Sequence, residues 1–210
     1  RSYALFTAAL PVVMAALVMT VPGSAGFGPP ETPPTGEPTQ LLVILIVGAA
    51  FMGLAATARD LVNERPIFLR ERAVGLAPSA YLGSKLIAFG GLALVQSAIM
   101  VALVMAVKPP PDSASALGNG IVEIYLAVVA TTFACATLGL LISALVSTSE
   151  QVMPLLIVTL MAQLVLCGGL IPVADRAGLE QLAWASPSRW GYAATATTVD
   201  VLEKRPKPPT

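Results

Sequence analysis

The sequence predicts an all-α fold, a polytopic membrane helical bundle, on three observations. Of its 210 residues, 56% are hydrophobic and only 11% charged, whereas a soluble domain carries about 25% charged residues. The mean hydropathy is +0.79. The apolar residues gather in five runs, each close to the roughly 20 residues that carry a helix across a ~30 Å hydrocarbon core. Lipid offers the backbone no hydrogen-bond partner, so each run must be helical.

The first span covers about residues 3–21. It has no basic stretch before it beyond Arg1 and further spans follow, so it reads as a membrane helix rather than a cleavable leader. Residues 21–40 hold six prolines and four glycines and read as a structureless loop. The second span is about 41–57, the third about 81–107, the fourth about 121–146 and the fifth about 152–170. Between the second and third, a connecting helix is expected over about 58–75. Residues 59–85 carry Arg59, Arg65, Arg70, Arg72 and Lys85, and the positive-inside rule makes that segment cytoplasmic. Parity then puts the N-terminus and 147–151 inside, and 21–40 and 108–120 outside. It also puts 171–210 outside, although that stretch carries Arg176, Arg189, Lys204, Arg205 and Lys207. Earlier helices dominate orientation, so the assignment stands. There is no internal repeat of the secondary-transporter kind.

Several chemistries are excluded. Twelve basic and twelve acidic residues cancel, which argues against a nucleic-acid partner. There is no histidine, which removes His-based catalysis and most zinc sites. Cys135 and Cys167 each lie inside an apolar run and read as small buried hydrophobes. The phosphate-cradling pattern G-x-x-x-x-G-K-[ST] is absent from the sequence. The chain therefore has no catalytic site, metal site or cofactor of its own to offer.

Segment 59–85 mixes charged and apolar residues. On one helix Asp60, Glu64 and Glu71 fall within about 40° of one another at ~100° per residue, with Pro66 able to shift that phase. Glu64 has no basic residue at i+4 and Asp60 has Glu64 there, so the segment does not neutralise itself. Two readings remain: a solvated helix anchored at the headgroups, or a docking surface for a cytoplasmic partner. Within the spans the clearest polar residues are Gln96 and Gln163, with Thr131, Thr132, Thr137 and Thr159, which suit interhelix hydrogen bonds or substrate contact. Glu123 lies near the start of the fourth span, beside a positive helix N-terminus. Ala127, Thr131, Cys135, Gly139, Ser143 and Ser147 recur every four residues, and such a small-residue stripe predicts a close helix–helix contact.

Two groups of residues carry a family resemblance. Asn63-Glu64-Arg65, Phe68, Arg70-Glu71-Arg72, Gly75, Pro78, Tyr81 and Lys85 resemble the connecting-helix motif of G-subfamily ABC exporters. Cys167-Gly168-Gly169-Leu170-Ile171-Pro172 and Trp184-Ala185-Ser186-Pro187-Ser188-Arg189-Trp190-Gly191-Tyr192 resemble the place where that family folds back at the outer face. The resemblance spans about residues 1–201; Ala77 departs from it, standing where the family often has Tyr. It implies a permease domain with six spans, of which five are present here, an extracellular re-entrant segment over about 171–201, and a missing sixth helix. It further implies a multi-pass location in the plasma (inner) membrane with the N-terminus cytoplasmic. The implied partners are membrane lipid, a second copy of the chain, and a nucleotide-binding domain that holds ATP and Mg, fused upstream or separate. Glu64, Arg65, Phe68, Arg70, Glu71 and Arg72 would couple to that domain. Helix position in the family suggests Phe51, Met52, Met153, Leu156 and Gln163 for the substrate path, and the scarcity of charge in the spans suits an amphipathic or lipid-like substrate. The competing class is a non-ABC membrane protein, a secondary transporter or an assembly scaffold. An ion-coupled transporter usually carries intramembrane charges, and only Glu123 is available.

Overall fold

The computed structural model describes residues 2–24, 26–28, 37–111, 114–171 and 178–199, and among them every regular element is a helix. In chain order these are α1 (Ser2–Met19), α2 (Glu37–Thr57), α3 (Asp60–Ala73), α4 (Pro78–Val107), α5 (Gly120–Leu145), α6 (Val152–Leu166), α7 (Leu179–Trp184) and α8 (Pro187–Val199), with a single 3₁₀ turn at Ser149–Gln151 before α6. Four helical stretches are long and apolar enough to cross a membrane, Glu37–Ala73, Pro78–Val107, Gly120–Leu145 and Ser149–Leu166; Phe6–Met19 is a shorter apolar helix. Residues 172–177 and 200–201 of the expected re-entrant region lie outside the described residues, as do Arg1 and the terminal basic cluster.

The centre of the bundle is α2 against α5, flanked by α8 and α4. Lipid tails are as apolar as the helices, so close backbone approach rather than the hydrophobic effect must hold them together. Glycine provides it. A Cβ on Gly53 of α2 would run into Thr132 O and come within 2.8 Å of Ala136 N; one on Gly139 of α5 would strike the Thr57 side chain and lie 3.2 Å from Leu54 O. The Thr57 hydroxyl sits 2.9 Å from Ala136 O and 3.0 Å from Gly53 O, sharing its proton between the two helices. Further along the stripe, Thr131 meets Gly191 of α8, and the Ser143 hydroxyl accepts a hydrogen bond from Val62 N of α3 at 2.9 Å. Ala127 is half-buried. Ser147 departs from the expected stripe: α5 ends at Leu145, and Ser147 is exposed in the turn that follows.

α1 contains Pro11, which removes an amide and leaves the carbonyl four residues earlier without its helical partner. That carbonyl belongs to Thr7, and the buried Gln96 side chain of α4 donates to it at 2.8 Å. Gln96 is therefore the residue that lets α1 carry a proline inside an apolar bundle.

Two of the expected boundaries shift for visible reasons. α2 begins at Glu37, inside the stretch expected to be loop. Glu37 occupies the first turn, where a carboxylate complements the helix dipole. It is almost fully buried and paired with Lys108 at the end of α4, 2.7 Å away. Lys108 also donates to Val21 O at 3.0 Å and Gly23 O at 2.7 Å, while Gly26 N donates to Glu37 at 3.2 Å. The Pro/Gly segment thus has a fixed anchor at its described end. α6 stops at Leu166 rather than near 170, because Gly168 adopts φ +84° and Gly169 packs against Val43 and Tyr192, with no room for a Cβ. Beyond it, α7 and α8 return against the bundle. α5 starts with Asn119 capping Ile121 N and Val122 N at 3.0 and 3.4 Å. Glu123 accepts from Ser115, Ala116 and Leu117 N and from the Thr198 hydroxyl, at 2.6–2.9 Å. It ties the α4–α5 loop to α8, so its bonds are structural. Cys135 and Cys167 are both buried and free.

Candidate functional site

At the α3 end of the bundle, α1, α2 and α6 diverge around a cavity of about 720 Å³. Its walls are Phe6, Phe51, Ala55, Ala56, Ala58, Met153 and Leu156, and its floor is Arg59, Asp60, Asn63 and Glu64. α2 is packed along α5, whereas α6 touches α2 less and has only Val152 and Gln163 buried. Phe51 also lines a second cavity of about 290 Å³ farther along α1, α2 and α6, walled by Met14, Val47, Leu160 and Leu164. An apolar wall with polar groups confined to one end fits an amphiphile lying lengthwise.

The floor belongs to a cluster joining α3 to α4. Lys85 Nζ lies 2.8 Å from Asp60 and 2.7 Å from Glu64. The Tyr81 hydroxyl donates to Glu64 at 2.8 Å, the Phe68 and Tyr81 rings meet at 4.8 Å, and Lys85 stands 5.6 Å over the Tyr81 ring. Lys85 beside it holds the Glu64 carboxyl below its ordinary range. On α3 Val62 is buried, and Arg65, Arg70, Glu71 and Arg72 are exposed. On its other side the Ser149 hydroxyl donates to Asn63 Oδ1 at 2.6 Å, linking α3 to the turn before α6.

Among the residues expected to dock a partner, Arg65, Arg70, Glu71 and Arg72 share the free surface of α3, whereas Glu64 and Phe68 face α4. The expectation that the segment leaves its acids unneutralised is corrected: Asp60 and Glu64 find their cation on the next helix. Of the residues expected on a substrate path, the structure brings Phe51, Met153 and Leu156 together around the cavity. Met52 is fully buried in the core instead. Gln163 is buried too, its side-chain oxygen accepting from the Ser186 hydroxyl at 2.8 Å and Ser188 N at 3.1 Å, so it fixes the return of α7 and α8.

Sequence reasoning passed over three features. Asp60 was legible on an acidic face and Lys85 in the family motif, but not as a pair; the signal for the pair is two acids one turn apart with a lysine on the helix that follows. Glu37 and Lys108 were hidden by a proline-rich context. On α2, Ala49, Gly53 and Thr57 carry the same four-residue spacing as the α5 stripe, and all are buried.

The sequence matches the ABC-2 type transporter family over residues 1–198. It is 49% identical over 213 residues to the ABC transporter ATP-binding/permease protein Rv1747 of Mycobacterium tuberculosis, covering 99% of this chain. The chain spans 24% of that relative's length. No solved structure matches.

Proposed function

The chain belongs to the ABC-2 type transporter family as its membrane-spanning permease domain, and on that premise we propose that it serves an ATP-driven exporter of the G-subfamily type. The substrate is amphipathic or lipid-like and leaves across the plasma membrane. The observation that carries this reading is the cavity between α1, α2 and α6, apolar along its walls and polar at its α3 end. A lipid-like molecule places its chain against Phe51, Met153 and Leu156 and its head against Arg59 and Asn63.

The α3 end faces the cytoplasm, as its arginines suit the inner side of a membrane. The exposed face of α3 receives a nucleotide-binding domain, which supplies ATP and Mg; this chain contributes no catalytic group. The relative's description as an ATP-binding/permease protein supports such a domain in the same polypeptide. Two copies of the permease, related by a two-fold axis along the membrane normal, enclose the path. The test is ATP-dependent movement of a fluorescent phospholipid in proteoliposomes holding the full-length protein. Filling the cavity with Leu156→Trp should abolish movement while the protein still inserts and dimerises; unchanged movement removes the cavity from the path.

A further inference from the structure

Three residues on α3 meet two on α4 in register. Asp60, Glu64 and Phe68 follow one another at four-residue intervals, which places them along one face of α3. Tyr81 and Lys85 have the same spacing on α4. Lys85 takes both carboxylates at 2.7 and 2.8 Å, Tyr81 donates to the middle one, and the Phe68 ring closes the row against Tyr81. The side chains of Lys85 and Asp60 are 16% and 18% exposed and that of Glu64 is 40% exposed, so the Lys85–Asp60 contact is no loose surface pair. The connection to α2 is made by the backbone: Ala58 and Arg59 turn between the helices, with Ala58 N donating to Leu54 O at 2.9 Å and Asn63 N to Arg59 O at 3.2 Å.

From this row we infer that Lys85 is a positioning residue that braces α3 to α4, so that the two helices move as a single lever. The inference rests on the reading of α3 as the surface that receives the nucleotide-binding domain. Its own content is mechanical. One cation ion-pairs with two carboxylates a turn apart, and without it Asp60 and Glu64 are part-buried charges with no cation, which favours opening of the contact to water. The bonds from α3 to Ser143 and Ser149 are single hydrogen bonds. They hold the same end of α3 as Lys85 does, together with Val62 packed against Val146 and Val152, and the Phe68–Tyr81 contact extends the brace towards Arg70, Glu71 and Arg72.

The experiment uses the full-length transporter in lipid nanodiscs, with spin labels at Val74 and Ile87, which are 90% and 78% exposed, and a second pair at Val74 and Met153. Distances are measured without nucleotide and after trapping with ATP and vanadate. The Val74–Ile87 distance should be narrow and identical in both states. In Lys85→Met it should broaden without nucleotide and shift on trapping by about 2 Å, the scale of helix displacements in switching proteins. Lys85→Arg, and the swap of Lys85→Glu with Glu64→Lys, should restore the narrow distance. A shift in the unmutated protein, or a Lys85→Met distribution equal to the unmutated one, overturns the brace. If the Val74–Met153 distance does not respond to trapping, the coupling reading of α3 fails, and the nucleotide-free width of Val74–Ile87 still decides the brace.

Discussion

Adding one methyl group at Gly53 should pry α2 from α5. An alanine Cβ there would overlap Thr132 O, fall 2.8 Å from Ala136 N and sit 3.1 Å from the Cys135 Cβ. The first two are backbone atoms of a helix, which cannot swing aside, so the helices must separate. Overpacking of this kind costs about 1–3 kcal/mol, and separation also weakens the Thr57 bond to Ala136 O. The reporter is built in, because Cys135 is fully buried at the same contact. In a Cys167→Ala background, the rate at which a maleimide reaches Cys135 through local opening should rise about 5- to 150-fold in Gly53→Ala, following the free-energy loss. The control is Gly83→Ala on α4, where a Cβ meets nothing within 4 Å; it should leave the rate unchanged or lower it slightly, as alanine favours a helix over glycine. A Gly53→Ala protein that reacts no faster than the Gly83→Ala protein would refute the close-packed α2–α5 contact.

Three further outcomes follow from the same contacts. Gln96→Leu orphans the Thr7 carbonyl and should destabilise by about 1–3 kcal/mol; adding Pro11→Ala restores the helical amide and should recover most of that loss in thermal unfolding. Lys108→Met takes the cation from the buried Glu37 carboxylate and should cost about 3–5 kcal/mol, whereas Lys108→Met with Glu37→Gln should unfold at a higher temperature than the single variant. Cysteines at Ser24 and Ser79, both exposed, should label with an impermeant reagent from opposite sides of the membrane; labelling of both from one side contradicts the topology.

The helices were legible because hydropathy over some 20 residues survives any detail of packing. Rotation about each axis was not. α2 is apolar on all sides, so nothing in its sequence told Phe51, which faces the cavity, from Met52, which faces the core. The α5 stripe was legible through its four-residue spacing, yet its partner on α2 obeys the same rule and went unread, because Ala and Gly are common throughout the chain. Charge patterning within one helix left Asp60 and Glu64 without a partner, since that rule looks only three or four residues along. Their cation lies on α4, and the hairpin geometry that brings it there is tertiary. Glu37 is the extreme case: its partner Lys108 is 71 residues away, and a proline-rich neighbourhood argued for loop.

The central proposal, that the exposed charges of α3 transmit ATP-driven motion, is tested most directly at Glu71. Glu71 lies on the free surface of α3 with no role in the Lys85 cluster, so reversing its charge should spare membrane insertion and dimerisation; exposed ion pairs are worth only about 0–1 kcal/mol to folding. The measurement is ATP hydrolysis and fluorescent-phospholipid movement, side by side, in proteoliposomes of the full-length Glu71→Lys protein. The account predicts continued hydrolysis with a marked drop in molecules moved per ATP. An unchanged ratio would contradict the coupling role of α3, and a protein that fails to insert would make its charges structural.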